Sequence, residues 1–104
     1  VATKNLPIPA DRAPLRRFCQ RHGITRLALF GSALRDDFSD QSDLDFLVEF
    51  HPDHIPGFIG LAGMELELAQ LLGRRIDLQT FASLSPRFAH QVATEAEKVY
   101  VAPR

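Results

Sequence analysis

Asp43 and Asp45 stand two residues apart in the run DLDFLVEF, a spacing that in an extended strand projects both carboxylates from one face. Two ionised carboxylates side by side repel each other. A bound cation or a shared proton offsets that repulsion, and hard oxygen donors on a rigid strand suit Mg²⁺. Just upstream, the apolar run Leu27 to Phe30 stops at Gly31-Ser32, as expected of a buried strand that delivers its C-terminal end to a tight turn. Ser32 then falls near the N-terminus of a short helical segment, where free backbone N–H groups make an anion site fit for a phosphate. Arg35 lies in that first turn. A cation there opposes the helix dipole at a cost of a few tenths of a kcal/mol, so it either faces a bound anion or pairs on the surface with Asp36 or Asp37.

These acids also admit a plainer reading. Asp43, Asp45, Leu47 and Glu49 alternate with Leu44, Phe46, Val48 and Phe50, and a strand with one polar face is common at a sheet surface. Leu47, placed among the acids, argues against a fully solvated face. A third acid, Asp77, falls in the expected strand Arg74 to Thr80, on the side of Arg75 and Gln79 and opposite Ile76, Leu78 and Thr80. Alone it reads as a surface residue. Beside Asp43 and Asp45 it would complete a three-carboxylate site.

The elements around these acids follow from periodicity. Residues 1–10 contain Pro7 and Pro9 without sustained pattern and read as an extended arm. A helix opens at Asp11, tolerates Pro14 in its first turn, carries Leu15, Phe18, Cys19 and His22 at helical spacing, and stops at Gly23. Arg12, Arg16, Arg17 and Arg21 share its other face, either solvated or facing an acidic partner. Ile24 to Phe30 is the first strand and Asp43 to Phe50 the second. His51 and His54 sit among turn residues and lack the further Cys or His ligands of a zinc site. Phe58 to Leu72 is a helix with Leu61, Met64, Leu68, Leu71 and Leu72 toward the core, closed by Gly73, and with Leu66 outward. Ser85-Pro86 opens a last helix whose apolar stripe is Phe88, Val92, Ala96 and Val99, with His90 exposed. The expected fold is α+β, a small mixed sheet of about three strands flanked by about four helices, in one domain spanning 1–104.

Composition narrows the function. The chain has 104 residues, 45% hydrophobic and 24% charged, with a formal net charge of -1, so no long-range field draws it to nucleic acid. Its one cysteine, Cys19, excludes an internal disulfide framework and reads as a core residue in a cytoplasmic protein. No apolar stretch reaches the roughly 18 to 20 residues of a membrane span, and no signal-peptide pattern is visible.

Taken together, Gly31-Ser32, Arg35, Ser42-Asp43-Leu44-Asp45 and Asp77 resemble the motif of the minimal nucleotidyltransferases, the smallest members of the DNA polymerase beta-like superfamily. The resemblance spans nearly the whole chain, including LALFGS, DFLVEF, LLGRRIDL and the helix after LSPRF. It implies Asp43, Asp45 and Asp77 as the catalytic, metal-holding acids, with Gly31, Ser32 and Arg35 binding the triphosphate. It also implies ATP as nucleotide donor and two Mg²⁺ ions, which in such sites lie roughly 3.5 to 4 Å apart. This chain departs from the family pattern at Asp36-Asp37, whose added charge opposes triphosphate binding.

The family's usual setting implies a partner, a helical HEPN-domain ribonuclease toxin for which the nucleotidyltransferase is the antitoxin. The leading expectation is transfer of AMP from ATP to a tyrosine hydroxyl of that toxin. The alternative is an antitoxin that neutralises by binding without chemistry. Transfer to a small molecule would need an acceptor-binding domain for which this length leaves no room, and direct nucleic-acid binding is not expected.

Overall fold

The computed structural model describes residues 7–31 and 43–103. In chain order the elements are α1 (Ala13–Arg21), β1 (Ile24–Phe30), β2 (Leu44–Phe50), α2 (Phe58–Leu72), β3 (Ile76–Gln79), α3 (Pro86–Glu95) and β4 (Glu97–Val101), with single 3₁₀ turns at Pro52–His54 and Phe81–Ser83. The short helical segment expected after Ser32 lies outside the described residues. The strands form one mixed sheet in the order β3-β2-β1-β4. β1 pairs antiparallel with both β2 and β4, and β2 pairs parallel with β3. A parallel pair needs a crossover, which α2 supplies.

Local chemistry accounts for most boundaries. The Asp11 carboxylate accepts a hydrogen bond from the Ala13 N–H at 3.1 Å, satisfying one of the donors that begin α1. α1 ends at Arg21, with His22 as its C-cap and Gly23 at φ +68°, so the helix is shorter than the Asp11 to Gly23 reading. α2 occupies the expected residues and closes on Gly73 in the left-handed region, whose N–H returns to the Ala69 carbonyl. Ser85 caps α3, accepting from the Phe88 N–H, with Pro86 in the first turn.

The last element corrects the sequence reading. α3 stops at Glu95 because Ala96 turns extended, and Val99 lies in a strand, not on a helix. Val92, Ala96 and Val99 do fall at helical spacing, but Glu97 to Val101 is rich in β-branched and aromatic side chains. Pairing this segment with Arg26 to Leu29 satisfies the otherwise open edge of a strand whose residues Leu27 to Phe30 are buried. The described residues thus hold four strands and three α-helices, against about three and about four expected.

The sheet is covered on both faces. Leu44, Phe46, Val48, Ile76 and Leu78 pack with Leu15, Phe18, Cys19, Met64 and Leu68 from α1 and α2. On the opposite face Phe30, Leu47 and Val92 form a smaller cluster backed by Phe81, Leu84 and Ala96. That second cluster explains Leu47, which is buried amid the acids of its strand. Leu66 is outward as expected, whereas Leu71, expected inside, is 39% exposed at the end of α2. No helix among the described residues is long and apolar enough to cross a membrane.

Cys19 is fully buried, and desolvation raises its thiol from 9.0 to about 12. Between those values the unfolded chain gives up a proton that the folded chain keeps. Stability therefore falls as pH rises above 9.0, by about 1.4 kcal/mol per pH unit for a single proton. Urea titrations across this range should show a slope about one proton shallower for Cys19→Ala, and native Cys19 should resist thiol reagents until the chain unfolds.

Candidate active site

Strand register assembles the site. Phe30 is the register partner of Asp45 across β1 and β2, so the next residue, Gly31, arrives over the Asp45 side chain. Gly31 has φ +73°, and a Cβ placed on it would stand 2.6 Å from Asp45 Oδ2. Glycine is required here twice, for the left-handed backbone and for the space the carboxylate occupies.

Across the parallel pair, Asp45 is the register partner of Asp77, between Leu44 with Ile76 and Phe46 with Leu78. The flanking pairs enter the main core, which turns both acids to the opposite face. Neighbouring strands lie about 4.8 Å apart, so these two half-buried carboxylates are lateral neighbours.

Asp43 precedes β2 and is more exposed. Its Oδ1 accepts from Arg75 Nε at 2.8 Å, an ion pair at the entrance to β3. Asp77 Oδ1 accepts from Gln79 Nε2 at 2.9 Å, and Gln79 Oε1 accepts in turn from the Ser83 hydroxyl at 2.9 Å. Gln79 and Arg75 went unassigned as site residues in the sequence, although both lie on the Asp77 side of their strand. Glu65 was also missed. Its Oε2 accepts from the Leu78 N–H at 2.8 Å, tying α2 to the strand that carries Asp77, and no local pattern signals that reach. Among the described residues no three His, Cys, Asp or Glu side chains gather into one metal-holding cluster. Ser32 and Arg35, the expected phosphate ligands, lie outside the described residues, as do Asp36 and Asp37.

Two cavities open beside the acid pair. One, of about 200 Å³, is lined by Gly31 and Asp45 with Phe30 and α3 residues Phe88, Gln91, Val92 and Glu95. The other, about 670 Å³, includes Asp77 and follows β3 toward the start of α2.

The arginine face of α1 is partly committed to structure. Arg21 and His22 both meet Glu67 of α2, at 2.6 and 2.9 Å, and Arg12 donates to the Pro9 carbonyl at 3.0 Å. Arg16 and Arg17 are exposed. His51 Nδ1 accepts from the Asp53 N–H in the 3₁₀ turn, while His54 packs over Gly23.

A glycine turned onto the Asp45 carboxylate thus stands beside a second carboxylate, Asp77, opposite it on a parallel neighbour. The chain belongs to the nucleotidyltransferase domain family, which it matches over residues 13–100. It is 37% identical over 82 residues to the protein adenylyltransferase MntA of Thermococcus cleftensis, covering 79% of each chain. A solved structure provisionally described as a minimal nucleotidyltransferase superposes with a TM-score of 0.69 at 38% identity, over 84% of this chain and 87% of that one. The same fold, at 21% identity and a TM-score of 0.63, over 86% of this chain and 68% of that one, occurs in a complex of tri-AMPylated Shewanella oneidensis HEPN toxin with MNT antitoxin. The α+β minimal nucleotidyltransferase fold expected from the sequence is therefore the fold observed.

Gly31→Ala should lose about 1–3 kcal/mol in chemical denaturation from backbone strain alone and displace the Asp45 carboxylate. Gly63→Ala, inside α2 with open space around it, should gain about 0.4–1 kcal/mol.

Proposed function

We propose that this protein is an antitoxin that transfers AMP from ATP to a tyrosine hydroxyl of a partner HEPN ribonuclease toxin, releasing pyrophosphate. The observation that carries the reading is the parallel register of Asp45 with Asp77 beside Gly31. The protein adenylyltransferase name of a 37% identical relative supports the reaction. The AMPylated HEPN toxin seen with a structural neighbour supports the partner and acceptor class.

Mg²⁺ fits the donor set. It is commonly held by one or two carboxylates together with substrate phosphates and waters, not by an all-protein cage. Asp45 and Asp77 meet that requirement, and Asp43 would join them by turning from its exposed partner Arg75. When bound, the ion supplies charge neutralisation for the triphosphate.

The chain's own residues do the rest. Gly31 presents backbone without a side chain, so a phosphate can approach the Asp45 edge. Ser32 would donate to the phosphates through its N–H and hydroxyl, and Arg35 would neutralise their charge. The acceptor oxygen bonds to the α-phosphorus, and the bond from that phosphorus to the pyrophosphate oxygen breaks. The electron pair leaves with pyrophosphate, and the acceptor proton passes to the Asp77 carboxylate. Gln79, by donating to Asp77, orients that carboxylate.

A binding-only antitoxin is the second reading, favoured by one observation: Asp43 is engaged by Arg75 and not gathered with the other acids. One experiment separates the two. Incubation with ATP, Mg²⁺ and the HEPN toxin should add AMP to the toxin by intact mass, and Asp43→Asn with Asp45→Asn should abolish the addition. Labelling that survives in the double variant would sink the mechanism. Loss of labelling with full retention of toxin neutralisation would favour binding alone. Asp77→Asn should slow transfer by about 10²- to 10⁴-fold.

A further inference from the structure

A hydrogen-bonded chain joins Asp77 to the turn that follows β3. Gln79, two residues on and therefore on the same side of the strand, donates from Nε2 to Asp77 Oδ1 at 2.9 Å. Its Oε1 accepts from the Ser83 hydroxyl at 2.9 Å. Ser83 closes the 3₁₀ turn Phe81–Ser83, so the far end of the chain is anchored in backbone and not in another side chain.

The chemistry of each group fixes its role. An ionised carboxylate only accepts, so the Gln79 amide turns its NH₂ toward Asp77 and its oxygen toward Ser83. That oxygen needs a proton, and a hydroxyl has one to give. The Thr80 carbonyl, 2.7 Å from Ser83 Oγ, competes for it, but this carbonyl already accepts from the Ser83 N–H at 3.1 Å. The Ser83 oxygen in turn accepts from the Thr80 N–H at 3.1 Å. Held from behind by the turn, the hydroxyl is aimed at Gln79. Ser83 is exposed, yet a water in its place would lack that backbone anchor. A glutamine has several rotatable bonds whose freedom is lost on ordering, and fixing its oxygen to the turn holds its NH₂ at Asp77 before any substrate arrives.

We propose that Ser83 is a positioning residue for the transfer. Through Gln79 it fixes the rotamer of Asp77, binding Oδ1 and presenting Oδ2 to the acceptor hydroxyl, whose proton passes to that oxygen. No proton moves along the chain itself. The proposal rests on the adenylyl-transfer reading and extends the site to a turn residue that need touch neither substrate.

Two measurements test it. In the ¹⁵N-labelled full chain without nucleotide or toxin, the Gln79 side-chain amide should shift in Ser83→Ala and in Asp77→Ala, exchange with water at least about threefold faster in both, and return to its original state in Ser83→Thr. A Ser83 that served only the turn would move the Thr80 backbone amide and leave the Gln79 side chain unchanged, and that result would overturn the proposal. In AMP transfer to the toxin, Ser83→Ala should lower kcat about three- to tenfold, the range of one neutral hydrogen bond, with KM for ATP unchanged and with kcat restored by Ser83→Thr. Introduced into Gln79→Leu, Ser83→Ala should cost no further activity, because the two residues act as one unit. Losses that multiply in the double variant, or a loss confined to KM for ATP, would overturn it as well. Absence of transfer by the unaltered chain would instead overturn the adenylyl-transfer reading, and the amide measurement, which needs no transfer, would still decide the link from Ser83 to Asp77.

Discussion

The contact between the Gly31 backbone and the Asp45 carboxylate depends on strand register, and the register depends on the core. Phe30 faces Asp45 across one ladder and Asp77 faces it across the other. A slip of one residue on either side would carry an acid to the face occupied by Leu44, Phe46, Ile76 and Leu78. Burying an unpaired carboxylate there is far costlier than leaving it half-exposed. The alternation that stabilises the sheet therefore also enforces the acid geometry, and stability cannot be altered at these strands without altering the site.

Holding carboxylates together costs free energy, and the fold places donors to limit it. Gln79 donates to Asp77 and Arg75 to Asp43. The strand bearing Asp77 has only four residues and lies at the sheet edge, where one side lacks a ladder. Glu65 and Ser83 occupy its Leu78 and Thr80 amides, so side chains from α2 and the Phe81–Ser83 turn supply what a fifth strand would otherwise provide. Positioning of Asp77 is thus distributed over residues far apart in sequence.

That distribution explains what could be read from the chain alone. α2 was legible to the residue because an apolar stripe ends on a left-handed glycine, and β1 because its apolar run ends on another. Period-two alternation put Asp43 and Asp45 on one side of their strand, whereas Asp77 comes beside Asp45 only through the parallel register of β2 and β3. β4 was not legible, since Val99 satisfies the helical spacing set by Val92 and Ala96, and the competing demand comes from the edge of β1 about 70 residues earlier. Leu71 failed for a related reason: it falls on the stripe, but at the helix end the neighbouring chain covers it only in part. Glu65 looked like an ordinary polar position on α2, and only the crossover brings it to Leu78.

The sheet order assigns different work to its two edges. β4, on the far side of β1 from the acids, extends the ladder and backs the core through Val99 and Tyr100. β3 carries Asp77 at the other edge, beside a cleft whose apolar rim is left exposed. An acid on an interior strand could be reached only through the face above it, which α3 and the Phe30, Leu47 and Val92 cluster partly cover. Placing Asp77 on the outer strand leaves it beside the cavity of about 670 Å³ that opens laterally, while Asp45 and Gly31 line the narrower one of about 200 Å³ against α3. In a domain this small, lateral access to Asp77 follows from which strand ends the sheet.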